Sequence, residues 1–571
     1  MLKKNNYFIM LAYFIFMFVI YQFLSLGFGW DDTRAVNHAD ISGDRKNEAE
    51  PVVTEPRQWS GEQFILAADQ KDTVFATVEE WLSLIQADYI WLERLPELSA
   101  ADQQPDTVFI ATADVDAIGG VRSVKTMLEA GVNVIFCTMP DQAAEAYGEL
   151  AEMMGIVSTG QEYEQTGIRI GEGILLGGAY QSEELTVHTR AVVLNGTARI
   201  YAGGYEKDGT TDDTAPLIWR SRYGAGSLFV INGDFLEKKA GMGILAGVYA
   251  QKDNTVAYPV VAAKVVMLDN FPLLSAENNE KFVEVFNREQ HTFTRDVIWS
   301  SLLSSMKSLD IVYSCYMTLG FEPETVENGM IDRESLSFFA KEFYRSGSEM
   351  AIGNPFKDTA ADQTTVSATV KAIRSELPNY EFYSAVTGET KLNVDGLILT
   401  GIPQNYTDNE EDTIFAALTE DTVRIPVTIE GRTLNEEQLF DNRCLASALC
   451  YIGYRIDFQP VFQDLTNDAD YQELNREMEK SLSAVTQPYS KLPALTVTET
   501  ASRIKAYRNT QMDITVNGDT VIIETDSDEI SYALLRTDQE ITNITGADYS
   551  WLEKGYMLIE VQGKYAEIYL G

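Results

Sequence analysis

The sequence predicts a multidomain α/β protein with an N-terminal transmembrane helix, an α/β domain, a (β/α) barrel and a C-terminal β-sandwich. Three observations predict this. The chain has 571 residues, which is too many for one hydrophobic core. Short apolar strands alternate with amphipathic helices along most of it, which favours parallel sheets. After Asn509, short strands follow one another without helices, as is typical of a sandwich.

The chain is strongly acidic. It has 44 Lys and Arg against 86 Asp and Glu, a formal charge of −42 at pH 7. Such a surface repels phosphate backbones, so we expect no nucleic-acid partner. It would attract a cationic polymer or divalent cations, or simply keep the protein soluble. The four cysteines match no zinc or redox spacing, although Cys444 and Cys450 could pair outside the cell.

Residues 1–30 predict a membrane anchor. Two lysines precede an uncharged apolar run from Tyr7 to Trp30, and about 20 such residues cross a bilayer. Acidic residues follow the run, which favours a cytoplasmic N-terminus and a body outside the cell membrane. We therefore expect an uncleaved, single-pass signal-anchor in the lipid bilayer, with a cleaved signal peptide as the alternative. Residues 31–61 are polar and predict a flexible stalk.

Residues 62–258 predict the α/β domain. A strand at Asp106–Ile110, a helix at Gly119–Ala130 and a strand at Val132–Cys137 form a βαβ unit, hence a parallel sheet. The segment from Trp219 to Asp234 resembles the late part of flavodoxin-type, glutamine-amidotransferase-like domains. No catalysis is expected here, because Cys137 lacks the glycines of a nucleophile elbow and His188 lies in a strand-like segment.

Residues 259–508 predict the barrel. Lys264–Leu268 is an apolar run without alternation, so it predicts a strand buried on both faces. It ends in Asp269 and Asn270, and barrels carry their chemistry at the carboxyl ends of strands. Helices and strands then alternate. Predicted helices are Arg295–Leu309, Ser335–Arg345, Thr365–Glu376, Glu410–Leu418 and Asn435–Ile452. Predicted strands are Ile311–Met317, Glu349–Gly353, Tyr380–Ser384, Gly396–Thr400 and Arg424–Ile429.

This region resembles the NodB-type polysaccharide deacetylases, whose first motif is a strand ending in Asp-Asp. The resemblance implies that Asp269 is the general base and that Asn270 stands at a metal-ligand position. The family's His-x-x-x-His motif is matched in spacing by Asn354 and Asp358. The metal triad thus becomes Asn, Asn, Asp. Zinc prefers imidazole and thiolate ligands, so we expect no zinc and at most weak binding of another divalent cation.

The family also has a late histidine that protonates the leaving amine, but no histidine follows His291 here. Asp457 stands roughly at that position, and Glu389, in a loop after a strand, could line the same mouth. Three explanations remain open. The barrel is degenerate and inactive, or it holds Ca²⁺ or Mg²⁺ on Asp269 and Asp358, or the alignment is wrong and the site lies elsewhere.

Residues 509–571 predict a small β-sandwich or jelly-roll-like domain. Met512–Val516 and Thr520–Thr525 flank Asn517-Gly518-Asp519, a strong hairpin signal. Further strands are predicted at Tyr532–Arg536, Tyr556–Val561 and Tyr565–Tyr569.

The order of these parts resembles accessory proteins of Pel-type exopolysaccharide synthesis in bacterial biofilms. The resemblance implies a membrane-anchored extracytoplasmic protein that binds or guides an amino-sugar polymer beside a membrane polysaccharide synthase. Its barrel would be an inactive deacetylase. The alternatives are an active carbohydrate esterase or glycosidase and a purely structural partner of the synthase. The candidate base, vestigial or actual, is Asp269; the candidate polymer-binding residues are Asn270, Asn354, Asp358, Glu389 and Asp457.

Overall fold

The computed structural model describes residues 63–98, 103–205, 215–276, 280–322, 326, 330–354, 362–406, 413–465 and 467–571. The predicted anchor at 1–30 and the predicted stalk at 31–61 lie outside these residues. Within the described ranges, no helix is both long enough and apolar enough to cross a bilayer.

The strands are numbered in chain order. The strands of the N-terminal region are β1 Phe64–Ala67, β2 Tyr89–Leu92, β3 Thr107–Ile110, β4 Asn133–Phe136, β5 Ile156–Ile170, β6 Tyr180–Leu194, β7 Arg199–Gly204, β8 Pro216–Tyr223, β9 Gly226–Ile231 and β10 Thr255–Pro259. Those of the central region are β11 Ala263–Leu273, β12 Tyr313–Thr318, β13 Glu349–Ile352, β14 Phe382–Ser384, β15 Leu397–Asn405, β16 Val423–Val427, β17 Ile429–Glu430 and β18 Tyr451–Asp457. The last are β19 Met512–Asn517, β20 Thr520–Thr525, β21 Ser531–Thr537, β22 Ile541–Thr545, β23 Ala547–Glu553, β24 Tyr556–Val561 and β25 Tyr565–Leu570.

The α-helices are α1 Thr73–Leu84, α2 Gly120–Glu129, α3 Tyr147–Met153, α4 Met242–Tyr249, α5 Glu280–Phe286, α6 Gln290–Phe293, α7 Trp299–Leu309, α8 Arg333–Ser346, α9 Asp362–Glu376, α10 Glu436–Leu449, α11 Gln459–Gln463, α12 Asp468–Thr486 and α13 Val497–Asn509. Short 3-10 helices occur at Asp234–Glu237, Lys239–Gly241 and Gln487–Tyr489, and a π-helical turn occurs at Thr294–Ile298.

A nine-stranded sheet organises the first part, in the order β2-β1-β3-β4-β9-β8-β7-β5-β6. The first five strands in this order, β2-β1-β3-β4-β9, run parallel, as in doubly wound domains. The remaining strands are antiparallel and include the long β5–β6 ribbon. The predicted βαβ unit is thus present as β3, α2 and β4, while the antiparallel half was not predicted.

Strands β11 to β18 form a closed barrel of parallel strands. One sheet has the order β13-β12-β11-β18-β17 and the other β14-β15-β16. The sheets meet at a bridge between Ile352 and Ala385. On the other side, the Thr428 N–H donates to the Gly453 carbonyl at 2.9 Å, which links β18 to the junction of β16 and β17. Since β16 and β17 are interrupted halves of one strand, the circle is complete.

Two of the helices predicted in this region are wrong in part. Residues 413–418, the described part of the predicted helix Glu410–Leu418, form turns, and Ala417 bridges Val423. The predicted helix Asn435–Ile452 ends at Leu449, because Cys450 adopts a left-handed conformation with φ 49°. The chain then reverses into β18, which is almost fully buried.

The β-sandwich consists of two antiparallel sheets, β10-β21-β24-β23 and β19-β20-β25-β22. Its core includes Val521, Leu535, Met557 and Ile568. The strand β10 enters this sandwich from the chain that precedes the barrel, pairing with β21. The boundary predicted between residues 258 and 259 therefore falls inside a strand of the sandwich.

Helices α4 and α10 connect the first part of the chain to the barrel at very close range. A Cβ atom placed on Gly243 would lie only 2.0 Å from the carbonyl oxygen of Cys444. Glycine is therefore required on α4 because the two backbones touch.

Candidate functional site

The candidate site lies at the carboxyl end of β11. This strand is apolar and buried through Leu268, as the sequence predicted, and it delivers Asp269 and Asn270 to the mouth of the barrel. In register, Asp269 lies opposite Tyr316 on β12 and opposite Asp457 on β18. Asp269 is 4% exposed and Asn270 is 5% exposed. These two polar side chains are therefore enclosed, and their hydrogen bonds decide what the site can do.

Arg455 of β18 holds Asp269. The guanidinium Nε donates to Asp269 Oδ2 at 2.5 Å, and Nη2 contacts the same oxygen. The other oxygen, Oδ1, is buried and has no hydrogen-bond partner within the described ranges. Burial raises the pKa of Asp269 from 3.8 to about 6 although Arg455 opposes this rise. The carboxyl therefore takes up a proton more readily than an exposed aspartate does.

Asn270 is fixed by Asp457. The Asn270 Nδ2 donates to Asp457 Oδ1 at 2.9 Å, and the same oxygen accepts the Gln459 N–H at 2.8 Å. Asn270 has φ 56°, in the left-handed region that asparagine tolerates better than most residues. Its own Oδ1 is buried without a partner in the described part of the chain. The structure therefore brings together three of the predicted site residues.

The other candidates are placed differently. Asn354 follows β13 at the same end of the barrel and is buried. Glu389 is exposed, in the loop after β14, where its N–H donates to Thr387 Oγ1 at 3.0 Å. It is not part of the buried group around Asp269. Asp358 lies outside the described residues.

The sequence reasoning missed two arginines at this end of the barrel. Arg455 was overlooked because its segment was not predicted as a strand; with β18 in place, Arg455 and Asp457 project on the same side of it. Arg432 follows β17, and one of its guanidinium nitrogens, Nη1, is buried without a partner in the described ranges. Burial lowers the pKa of Arg432, against the opposing effect of nearby Asp457, Asp464 and Glu477.

The described residues do not fit a zinc site. The donors at the mouth are the carboxylate of Asp269, already bound by Arg455, and the amide groups of Asn270 and Asn354. Amide oxygens are poor zinc ligands, and none of these residues supplies imidazole or thiolate. Across the described ranges, no three His, Cys, Asp or Glu side chains are close enough to hold a metal ion together.

All four cysteines are free and buried. Cys444 and Cys450 do not form the disulfide considered above. Burial raises the pKa of each thiol well above its ordinary value, which disfavours the reactive thiolate form.

Comparison with known proteins gives a fold and a partial family match. Residues 78–351 match the model of a family described as "Uncharacterised protein conserved in bacteria (DUF2194)". No curated protein matches the sequence. The crystal structure of Agd3, described as a novel carbohydrate deacetylase, has a TM-score of 0.53 and 9% identity, covering 89% of this chain and 99% of its own.

An exo-β-1,4-mannosidase, Op5Man5 from Opitutaceae bacterium strain TAV5, matches with a TM-score of 0.24 and 13% identity over 34% of this chain and 36% of its own. A likeness of that size carries no argument. The likeness to Agd3 extends over almost the whole length of both chains, so it confirms the predicted multidomain α/β architecture with a deacetylase-like fold. At 9% identity it shows the fold alone.

Proposed function

We propose that this protein binds an amino-sugar polymer at the carboxyl end of its barrel without hydrolysing it through zinc. The observation that carries the proposal is the pairing of Asp269 with Arg455 at the position where the deacetylase resemblance expects a general base. The structural neighbour Agd3 is described as a carbohydrate deacetylase, which supports a carbohydrate as the ligand.

The absence of hydrolysis follows from the chemistry of the side chains. Zinc would lower the pKa of a bound water toward neutrality, and it needs stronger ligands than the two amides at this mouth. Asp269 Oδ2 is occupied by Arg455, so only Oδ1 can contact a ligand. We infer that the barrel keeps a hydrolase's layout and uses it for binding.

The charge of the chain supports an amino-sugar polymer in particular. A polymer that carries free amines is cationic near neutral pH, and a chain of −42 formal charge attracts it from a distance. A polyanionic polysaccharide would be repelled by the same field.

The cellular setting is part of the proposal and comes from the sequence alone. We propose that residues 1–30 anchor the protein in a bacterial cell membrane as a single-pass helix and that the body lies outside. There it would guide a nascent exopolysaccharide of the Pel type beside a membrane polysaccharide synthase, as in biofilm formation.

The test uses the full chain in detergent micelles. We expect retention on an immobilised glucosamine polymer at low salt, release as salt rises, and no acetate release from acetylated glucosamine oligomers. Stoichiometric zinc together with acetate release that Asp269→Asn abolishes would overturn the proposal in favour of an active esterase. No retention at low salt would overturn it in favour of a structural partner of the synthase.

A further inference from the structure

Two buried acceptor oxygens at the barrel mouth have no donor. Asp269 Oδ1 and Asn270 Oδ1 belong to consecutive residues, and neither has a hydrogen-bond partner in the described ranges. A buried acceptor left unpaired costs about 1–3 kcal/mol. Two such atoms on consecutive residues require an explanation, and a bound ligand is the kind of partner that supplies one.

The remaining atoms of these side chains are already fixed. Arg455 holds Asp269 Oδ2, and Asn270 Nδ2 donates to Asp457. Because the Asn270 amide nitrogen is bound to Asp457, the amide oxygen Oδ1 of Asn270 is the atom left without a partner in the described ranges. The pair therefore presents two acceptors and no donor, so a ligand at this point must bring donors of its own.

The charges around the pair favour a cation. Both Asp457 and Glu430 lie near enough to Asp269 to raise its pKa, and Arg455 is the cation that opposes them. Arg432 lies beside Asp457 but is compensated by Asp464 and Glu477. The carboxylates thus outnumber the arginines at this end of the barrel.

We propose that Asp269 Oδ1 and Asn270 Oδ1 form a subsite for the protonated primary amine of a sugar, so that the barrel selects free-amine residues over acetylated ones. This proposal rests on the proposed function. An ammonium group has three N–H donors and suits two fixed acceptors. An acetamide has one N–H and a carbonyl oxygen, which would leave one acceptor unpaired. A calcium ion takes six to eight oxygens, far more than these two residues offer.

The experiment measures binding of two glucosamine oligomers of equal length, one with free amines and one fully N-acetylated, to the full chain by isothermal titration calorimetry. We expect the free-amine oligomer to bind at least about tenfold more tightly, since the acetylated one leaves a buried acceptor unpaired. Asn270→Gly removes one acceptor and tolerates the positive φ, so the preference should fall to about twofold. Asp269→Asn should abolish it.

Glu334→Gln is the matched control, because it removes one exposed carboxylate from helix α8 on the outside of the barrel. It should leave the preference unchanged. Equal or tighter binding of the acetylated oligomer by the wild type would overturn this inference and leave the proposed function standing. A preference that survives Asn270→Gly would mean that water satisfies the two oxygens and would also overturn it. Failure of both oligomers to bind would refute the proposed function itself.

Discussion

Replacing Arg455 by methionine leaves the carboxylate of Asp269 buried without its partner. Methionine retains most of the volume of the arginine stem, so the main change is the loss of charge and of the contacts from Nε and Nη2. Removing one partner of a buried ion pair typically costs about 3–5 kcal/mol. Asp269 is 4% exposed, so bulk water compensates little for the loss of the guanidinium.

The loss of stability in the Arg455→Met variant depends on pH, because an Asp269 carboxyl that takes up a proton carries no unpaired charge. In the wild type, the folded-state pKa of Asp269 is raised from 3.8 to about 6. The stability that this group contributes is therefore fully present below about pH 4 and is lost as the pH rises through about 6. Without Arg455 the folded-state pKa rises further. The variant should approach the wild type at pH 5 and fall up to about 3 kcal/mol below it at pH 8, because pH 8 lies two units above the wild-type pKa of about 6 and each unit is worth about 1.4 kcal/mol.

The assay is urea unfolding of the full chain at pH 5 and pH 8, followed by far-UV circular dichroism. The double variant Asp269→Asn/Arg455→Met should lose the pH-dependent part of the effect, because no carboxyl remains to be stranded. Arg345→Met is the control, since Arg345 is exposed and the pair that it forms with Glu342 contributes little. An equal loss of stability at both pH values would refute the ion-pair reasoning.

Two further predictions concern the body of the protein. Gly243→Ala should lower the free energy of unfolding by about 1–3 kcal/mol, because the new Cβ meets the Cys444 backbone. Gly148→Ala is the control: a Cβ there would have nothing within 4 Å, so this variant should gain a few tenths to about 1 kcal/mol of stability. Equal melting temperatures for the two variants would contradict the close contact at Gly243. All four cysteines should resist a thiol reagent in the native protein and react in denaturant; rapid labelling of the native chain would show that these thiols are accessible.

The sequence predicted what depends on local pattern. The run Lys264–Leu268 lacks alternation because both faces of β11 are buried, one against the interior of the barrel and one against its helices. Asp269 was predicted as a site residue from its position directly after that run. Asp457 was a weaker prediction, and the structure brings it within reach of Asn270.

What the sequence could not give depends on contacts between distant parts of the chain. Arg455 and Asp269 are 186 residues apart, and no local spacing connects them. Only one residue, the left-handed Cys450, separates helix α10 from strand β18. The apolar residues at the start of β18 therefore looked like a continuation of the helix, and the predicted helix was extended to Ile452. The predicted helix Glu410–Leu418 fails over its described part because the Ile414 N–H is engaged by Glu80 of α1, at 2.9 Å.

The origin of β10 has a consequence for biosynthesis. The hydroxyls of Thr255 on β10 and Thr537 on β21 are 3.0 Å apart, although 282 residues separate them in the chain. At ordinary rates of translation, β10 leaves the ribosome roughly 15–60 s before its partner exists. During that interval its unpaired edge is a template for aggregation. A nascent chain that stalls within the barrel therefore carries an open strand, because its partner β21 has not yet been synthesised.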